Sequence, residues 1–128
     1  MVNDILSDFI TRIRNGYKSN LMFVSVIYAK KIIPVLDLFV ELGYIRGYSI
    51  KEDKVIVLLK YNTKGSSSIY NISIISKTGR KLYSTVSTLW RLHAFNKGSF
   101  ILTTSKGVLD SNTALKLNIG GEVLCYIV

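Results

Sequence analysis

Thr103-Thr104-Ser105-Lys106-Gly107 places three hydroxyls, an ammonium group and a glycine in one short stretch. Hydroxyls both donate and accept hydrogen bonds. The lysine adds a charge that suits phosphate, and the glycine lets another backbone approach where a Cβ would otherwise stand. Taken alone, the stretch reads as a polar turn closing the apolar run Phe100 to Leu102. It is followed by Gly120-Gly121-Glu122-Val123-Leu124-Cys125-Tyr126, whose double glycine offers a second close backbone approach to the same surface. Together these residues suit recognition of base edges and ribose 2′-hydroxyls. Ser105 beside Lys106 invites a nucleophile reading, but neighbours on a strand point to opposite faces, so the lysine does not activate the serine.

Little else in the chain supports catalysis. The one histidine, His93, reads as an ordinary surface or capping residue, and the one cysteine, Cys125, lies in an apolar run and reads as a buried, inert thiol. These two leave no internal disulfide and no multi-cysteine zinc site. Phosphate-binding, metalloprotease and nucleophile-elbow motifs are absent. No enzyme activity, metal or cofactor is expected. The charge is the strongest global signal: 17 basic residues against 8 acidic ones give a net charge of +9, which calls for a polyanionic partner. Arg12, Arg14, Lys30, Lys31, Arg80, Lys81 and Lys106 are among the cations available to phosphates. Tyr17, Tyr28, Tyr44, Tyr48 and Tyr83 are interleaved with them and offer rings for stacking. No apolar run is long enough to span a membrane, and the N-terminus, with Asp4 and Asp8, has neither a signal-peptide nor a transit-peptide pattern.

The elements that position these groups follow from periodicity. Ile5, Leu6, Phe9, Ile10 and Ile13 form a helical stripe over Asn3 to Arg14, capped by Asn3 or Asp4 and stopped at Asn15-Gly16. A strand is expected over Leu21 to Tyr28, and a helix starting near Ile33, with Pro34 in its first turn and Gly43 after its end. Two strands follow, Tyr44 to Ile50 and Val55 to Tyr61, joined by the polar loop Lys51 to Lys54. Asn62 to Ser68 is polar and flexible, so the composition predicts an N-terminal α/β domain over 1–62, a linker over 63–68 and a second domain over 69–128. There, strands are expected over Ile69 to Ser76, over Arg80 to Tyr83 after a turn at Thr78-Gly79, and over Phe100 to Thr104. Asp110 or Ser111 caps a short helix through Leu117. Glu122 to Val128 is apolar enough for a central strand. Ser84 to Asn96 reads as either a short helix or an apolar loop. The class is α+β, in one compact unit or two very small ones: helix-strand-helix-strand-strand and then mostly β with short helices.

Five segments, in order, resemble one family. Asp4 to Asn15 resembles the D-x-I-A-D-x-L-T-R-I-R-N opening helix of the universal small-subunit ribosomal protein number eight. Leu42-Gly43-Tyr44-Ile45 resembles its E-G-F-I turn, and Ser76 to Tyr83 its S-x-P-G-x-R-x-Y. Thr103 to Gly107 resembles S-T-S-K-G, and Gly120 to Tyr126 resembles G-G-E-I-L-C-Y. The resemblance implies two small α/β domains and binding to the central domain of small-subunit rRNA beside neighbouring ribosomal proteins, in support of assembly and translation. It implies RNA contact by Thr103, Thr104, Ser105, Lys106 and Gly107, supported by Gly120, Gly121 and Glu122. Further contacts are implied from Thr11, Arg12, Asn15 and Lys30, to which the residue types add Lys31, Arg80 and Tyr83. Thr78 replaces the family's proline, Asp110 to Leu115 lacks its arginines, and Ser84 to Gly98 matches poorly, so contacts from those segments are not carried over.

A composition rich in Ile, Lys, Ser, Asn and Tyr suits an AT-biased genome, and the drift points to a mitochondrial ribosome, with a plastid or the bacterial cytoplasm as alternatives. Binding to the protein's own messenger RNA through a mimic of the rRNA site overlaps with this reading. A peripheral membrane module is the reading from another class, but no basic amphipathic helix with a strong apolar face stands out.

Overall fold

Apolar stripes on short helices and alternating strands have to be buried against each other, and the chain does this in two places. The computed structural model describes residues 2–69, 71–76 and 80–128, with side chains from Ile5 onward. Asn3 and Asp4 do not cap α1: the helix starts at Val2, which places both inside its first turn. The turn at Thr78-Gly79 lies outside what is described. The described residues divide into two compact units, Met1–Tyr70 and Asn71–Val128.

In the first unit, α1 (Val2–Lys18), β1 (Phe23–Ile27), α2 (Ile33–Glu41), β2 (Ile45–Lys51) and β3 (Lys54–Leu59) follow in the expected order. The sheet is antiparallel, with strand order β1-β3-β2. The α1 stripe of Leu6, Phe9, Ile10 and Ile13 is buried, and Phe9 meets Phe39 of α2 with ring centroids 5.9 Å apart. Pro34 occupies the first turn of α2, and Gly43 follows its end with φ +84°.

Asn15-Gly16 does not stop α1, which runs on to Lys18. A Cβ on Gly16 would collide with the Val24 side chain, so glycine here permits close helix–sheet packing. The extra turn buries Tyr17, whose hydroxyl donates to Tyr44 O and accepts from Lys60 N at 3.1 Å. The helix stops instead at Asn20, in the left-handed region with φ 57°. The β2–β3 loop is also tighter than expected: Lys51 pairs with Lys54, leaving Glu52-Asp53 as the loop. Residues 62–68 form a hydrogen-bonded turn within this unit. Asn62 N donates to Ser66 O, its side-chain oxygen accepts from Lys64 N and Ser66 N, and Tyr61 bridges Ser67.

The second unit contains β4 (Ile72–Ile74), β5 (Tyr83–Ser84), α3 (Val86–Phe95), β6 (Ser99–Thr104), β7 (Gly107–Asp110), α4 (Ser111–Lys116) and β8 (Gly121–Ile127). β8 is central, as its apolar sequence requires: β4 and β5 pair with one edge and β6 with the other, with β7 outside β6. Leu89, Phe100, Leu102, Ala114, Leu115 and Val123 form the core between α3, α4 and the sheet. Ser84 to Asn96, ambiguous in sequence, resolves mainly into α3, and Thr85 caps it by accepting from Thr88 N at 3.3 Å.

Candidate nucleic-acid interface

β6 and β7 form a tight hairpin with Thr103 opposite Val108 and Thr104 opposite Gly107, which leaves Ser105-Lys106 at the tip. Strand β7 was not anticipated from the sequence; its signal is the hydroxyl-Lys-Gly turn itself. Gly107 has φ +103° and open space where a Cβ would stand, so its backbone conformation explains the glycine. Within the turn, the Thr104 hydroxyl donates to Gly107 O at 2.8 Å and accepts from Lys106 N at 3.1 Å. Thr104 therefore braces the turn. The hydroxyls of Thr103 and Ser105 have no partner in the chain among the described residues, and both residues are exposed together with Lys106.

The register sets Thr103 beside Glu122 of β8, and Glu122 beside Tyr83 of β5. Residues directly opposite on paired strands point to the same face, so Tyr83, Glu122, Thr103 and Val108 form one row across four strands. Alternation along β6 puts this row on the sheet face turned away from α3 and α4, because Leu102 belongs to the core beneath the helices. Tyr83 is 72% exposed. Glu122 is half-buried, and its Oε2 is fully buried with no hydrogen-bond partner among the described residues. A carboxylate oxygen in that state lacks the donor it needs.

Gly120 and Gly121 make this row possible. A Cβ on Gly120 would strike Ser84 O, and one on Gly121 would strike Thr103 O. Their close approaches are to the chain's own strands. The register shifts between Ile101–Cys125 and Leu102–Val123, a bulge that inserts Leu124 into β8. Val123, Leu124 and Cys125 are consequently all buried, while Glu122 returns to the face that carries Thr103 and is half-buried. Ser76 is buried and ties β5 to β8, donating from Oγ to Val123 O at 2.6 Å and accepting from Leu82 N at 3.0 Å. Burial pushes the Cys125 thiol up to about 12, as expected of an inert cysteine. His93 is half-buried, with Nδ1 3.4 Å from Ser111 Oγ.

Charge reinforces the geometry. Between Asp53 and Asp110 the sequence has no acidic residue. In the second unit Asp110 is buried and Glu122 half-buried, while Arg80, Lys81, Arg91, Lys97, Lys106 and Lys116 are all exposed. The other expected site residues lie in the first unit. Thr11 and Asn15 share a face of α1, one helical turn apart. Arg12 is not free: Nε pairs with Asp8 at 2.9 Å and Nη1 donates to Ser25 O at 3.4 Å. That pair is exposed and hence weak, so a phosphate can compete for the guanidinium. Lys30 and Lys31 are exposed in the turn before α2.

The model of the family described as ribosomal protein S8 matches residues 4–128. The chain is 40% identical over 131 residues to the small ribosomal subunit protein uS8 of Helicobacter pylori (strain Shi470), covering 99% of each chain. It is 41% identical, over the same length and coverage, to the uS8 proteins of Helicobacter acinonychis (strain Sheeba) and Wolinella succinogenes.

Proposed function

The chain belongs to the ribosomal protein S8 family, and from that premise we propose that its second domain, 69–128, binds the central domain of small-subunit rRNA. As a family member the protein is a structural, non-enzymatic constituent of the small ribosomal subunit, with ribosomal RNA and ribosomal proteins as its partners. The observation that carries the site is the row Tyr83–Glu122–Thr103 beside the exposed tip Ser105-Lys106.

Each group has a part in the proposal. Thr103 and Ser105 hydroxyls bond base edges or 2′-hydroxyls. Glu122, half-buried between Tyr83 and Thr103, accepts from a base N–H or a 2′-hydroxyl through the accessible part of its carboxylate. Tyr83 stacks, and Lys106 and Arg80 neutralise phosphates. Thr104, Gly107, Gly120 and Gly121 hold these groups in place. Thr11, Arg12, Asn15, Lys30 and Lys31 of the first domain add backbone contacts, which orient the protein without reading sequence.

Replacing Thr103 by Val and Ser105 and Lys106 by Ala tests the site. Retention of a central-domain rRNA fragment at fixed salt should weaken sharply while the melting transition is kept; unchanged retention overturns the assignment. As to compartment, the AT-rich residue usage supports a mitochondrial ribosome, whereas the bacterial origin of the similar proteins supports a bacterial cytoplasm. Immunodetection of the chain in small subunits purified from isolated mitochondria distinguishes the two.

A further inference from the structure

Helix α3 is anchored on one side only. Val86, Leu89 and Leu92 pack into the core of the second unit, whereas Ser87, Thr88, Trp90, Arg91, Ala94 and Phe95 are all exposed. At about 100° per residue, Trp90, Arg91 and Phe95 lie within an arc of about 140°, with the guanidinium stem between the two rings. Trp90 is 56% exposed and Phe95 84%. Two large aromatic groups left open on one short helix mark an interaction surface. The charge around them selects the partner. The helix has no acidic residue, Lys97 follows it, and the exposed charges described for this unit are all positive. Aromatic rings interleaved with a guanidinium, on a surface without acids, fit unpaired bases and their phosphates: every base has a π-face, and Arg adds a cation–π and a phosphate contact.

On the premise that the second unit carries rRNA, we infer that this outer face of α3 is a second RNA-binding surface, which stacks unpaired bases on Trp90 and Phe95. It lies on the helix side of the unit, away from the sheet face that holds Thr103 and Glu122, so it engages a different segment of the same RNA.

Hydroxyl-radical footprinting of the full chain bound to protein-free small-subunit rRNA tests this, with retention of the RNA scored independently. Oxidation of Trp90 and Phe95 should fall severalfold on binding. Trp90→Leu with Phe95→Leu should bind about ten-fold more weakly with an unchanged salt slope, whereas Arg91→Gln should lower the slope by about one. RNA retained with both rings still oxidised at the free rate overturns the inference and leaves the rRNA function standing. Protection found only in the assembled subunit, and not in the binary complex, makes a protein neighbour the occupant and also overturns it. Failure of the unaltered chain to retain the rRNA removes the functional reading and this surface with it.

Discussion

Three adjacent hydroxyls in the hairpin have two different roles, and hydrogen bonding separates them. Thr104 satisfies the turn's own backbone, while Thr103 and Ser105 face outward without partners. Thr104→Val should therefore cost about 1 kcal/mol of stability, the worth of the hydrogen bonds it removes. Thr103→Val and Ser105→Ala should stay within about 0.5 kcal/mol of the parent in urea unfolding, yet weaken RNA retention. Cys125 makes a prediction about pH. The folded thiol is pushed up to about 12 from an ordinary value of 9.0. The folded state thus keeps a proton that the unfolded chain releases. This contribution to stability is complete below about 9 and falls as pH rises toward about 12. Urea melts of the parent and Cys125→Ala should show a stability gap that narrows between pH 8 and pH 10; a constant gap would contradict the burial argument.

Among the elements, the two-residue strand β5 is the one that hydrogen bonding must hold. It is too short to be stable by pairing alone, and the buried Ser76 hydroxyl links Leu82 N to Val123 O. Ser76→Ala leaves Leu82 N unsatisfied and should cost about 1–3 kcal/mol. Hydrogen exchange at Leu82 and Val123 should accelerate, and RNA affinity should drop as Tyr83 moves from its place beside Glu122. The long elements were legible: the α1 stripe, the start of α2 at Pro34 and the apolar centre of β8 all follow from periodicity or burial. The errors fell at ends and short pieces. Asn15-Gly16 looks like a helix stop locally, but contact with Val24 and burial of Tyr17 outweigh it. β7 escaped notice because its four residues show no clear alternation of their own; its pairing with β6 defines it.

At the scale of the whole molecule, a net charge of +9 makes RNA affinity depend steeply on salt. Lys30→Gln with Lys31→Gln should lower the slope of log affinity against log salt by about 0.9 for each phosphate these lysines neutralise. An unaltered slope in a filter-binding titration would remove those lysines from the interface. The sequence by itself determined the α+β class, the cationic character, the poverty of catalytic groups and the five segments that resemble one family, because composition, periodicity and motif order are properties of the linear chain. Only the tertiary structure decided which groups share a face. The bulge at Leu124 and the two glycines set Glu122 between Thr103 and Tyr83 and leave its inner oxygen unpaired, since strand register brings together residues far apart in sequence. The hairpin's own hydrogen bonds engage the Thr104 hydroxyl, and packing leaves Trp90 and Phe95 outside, because burial depends on what lies against a side chain and not on its type.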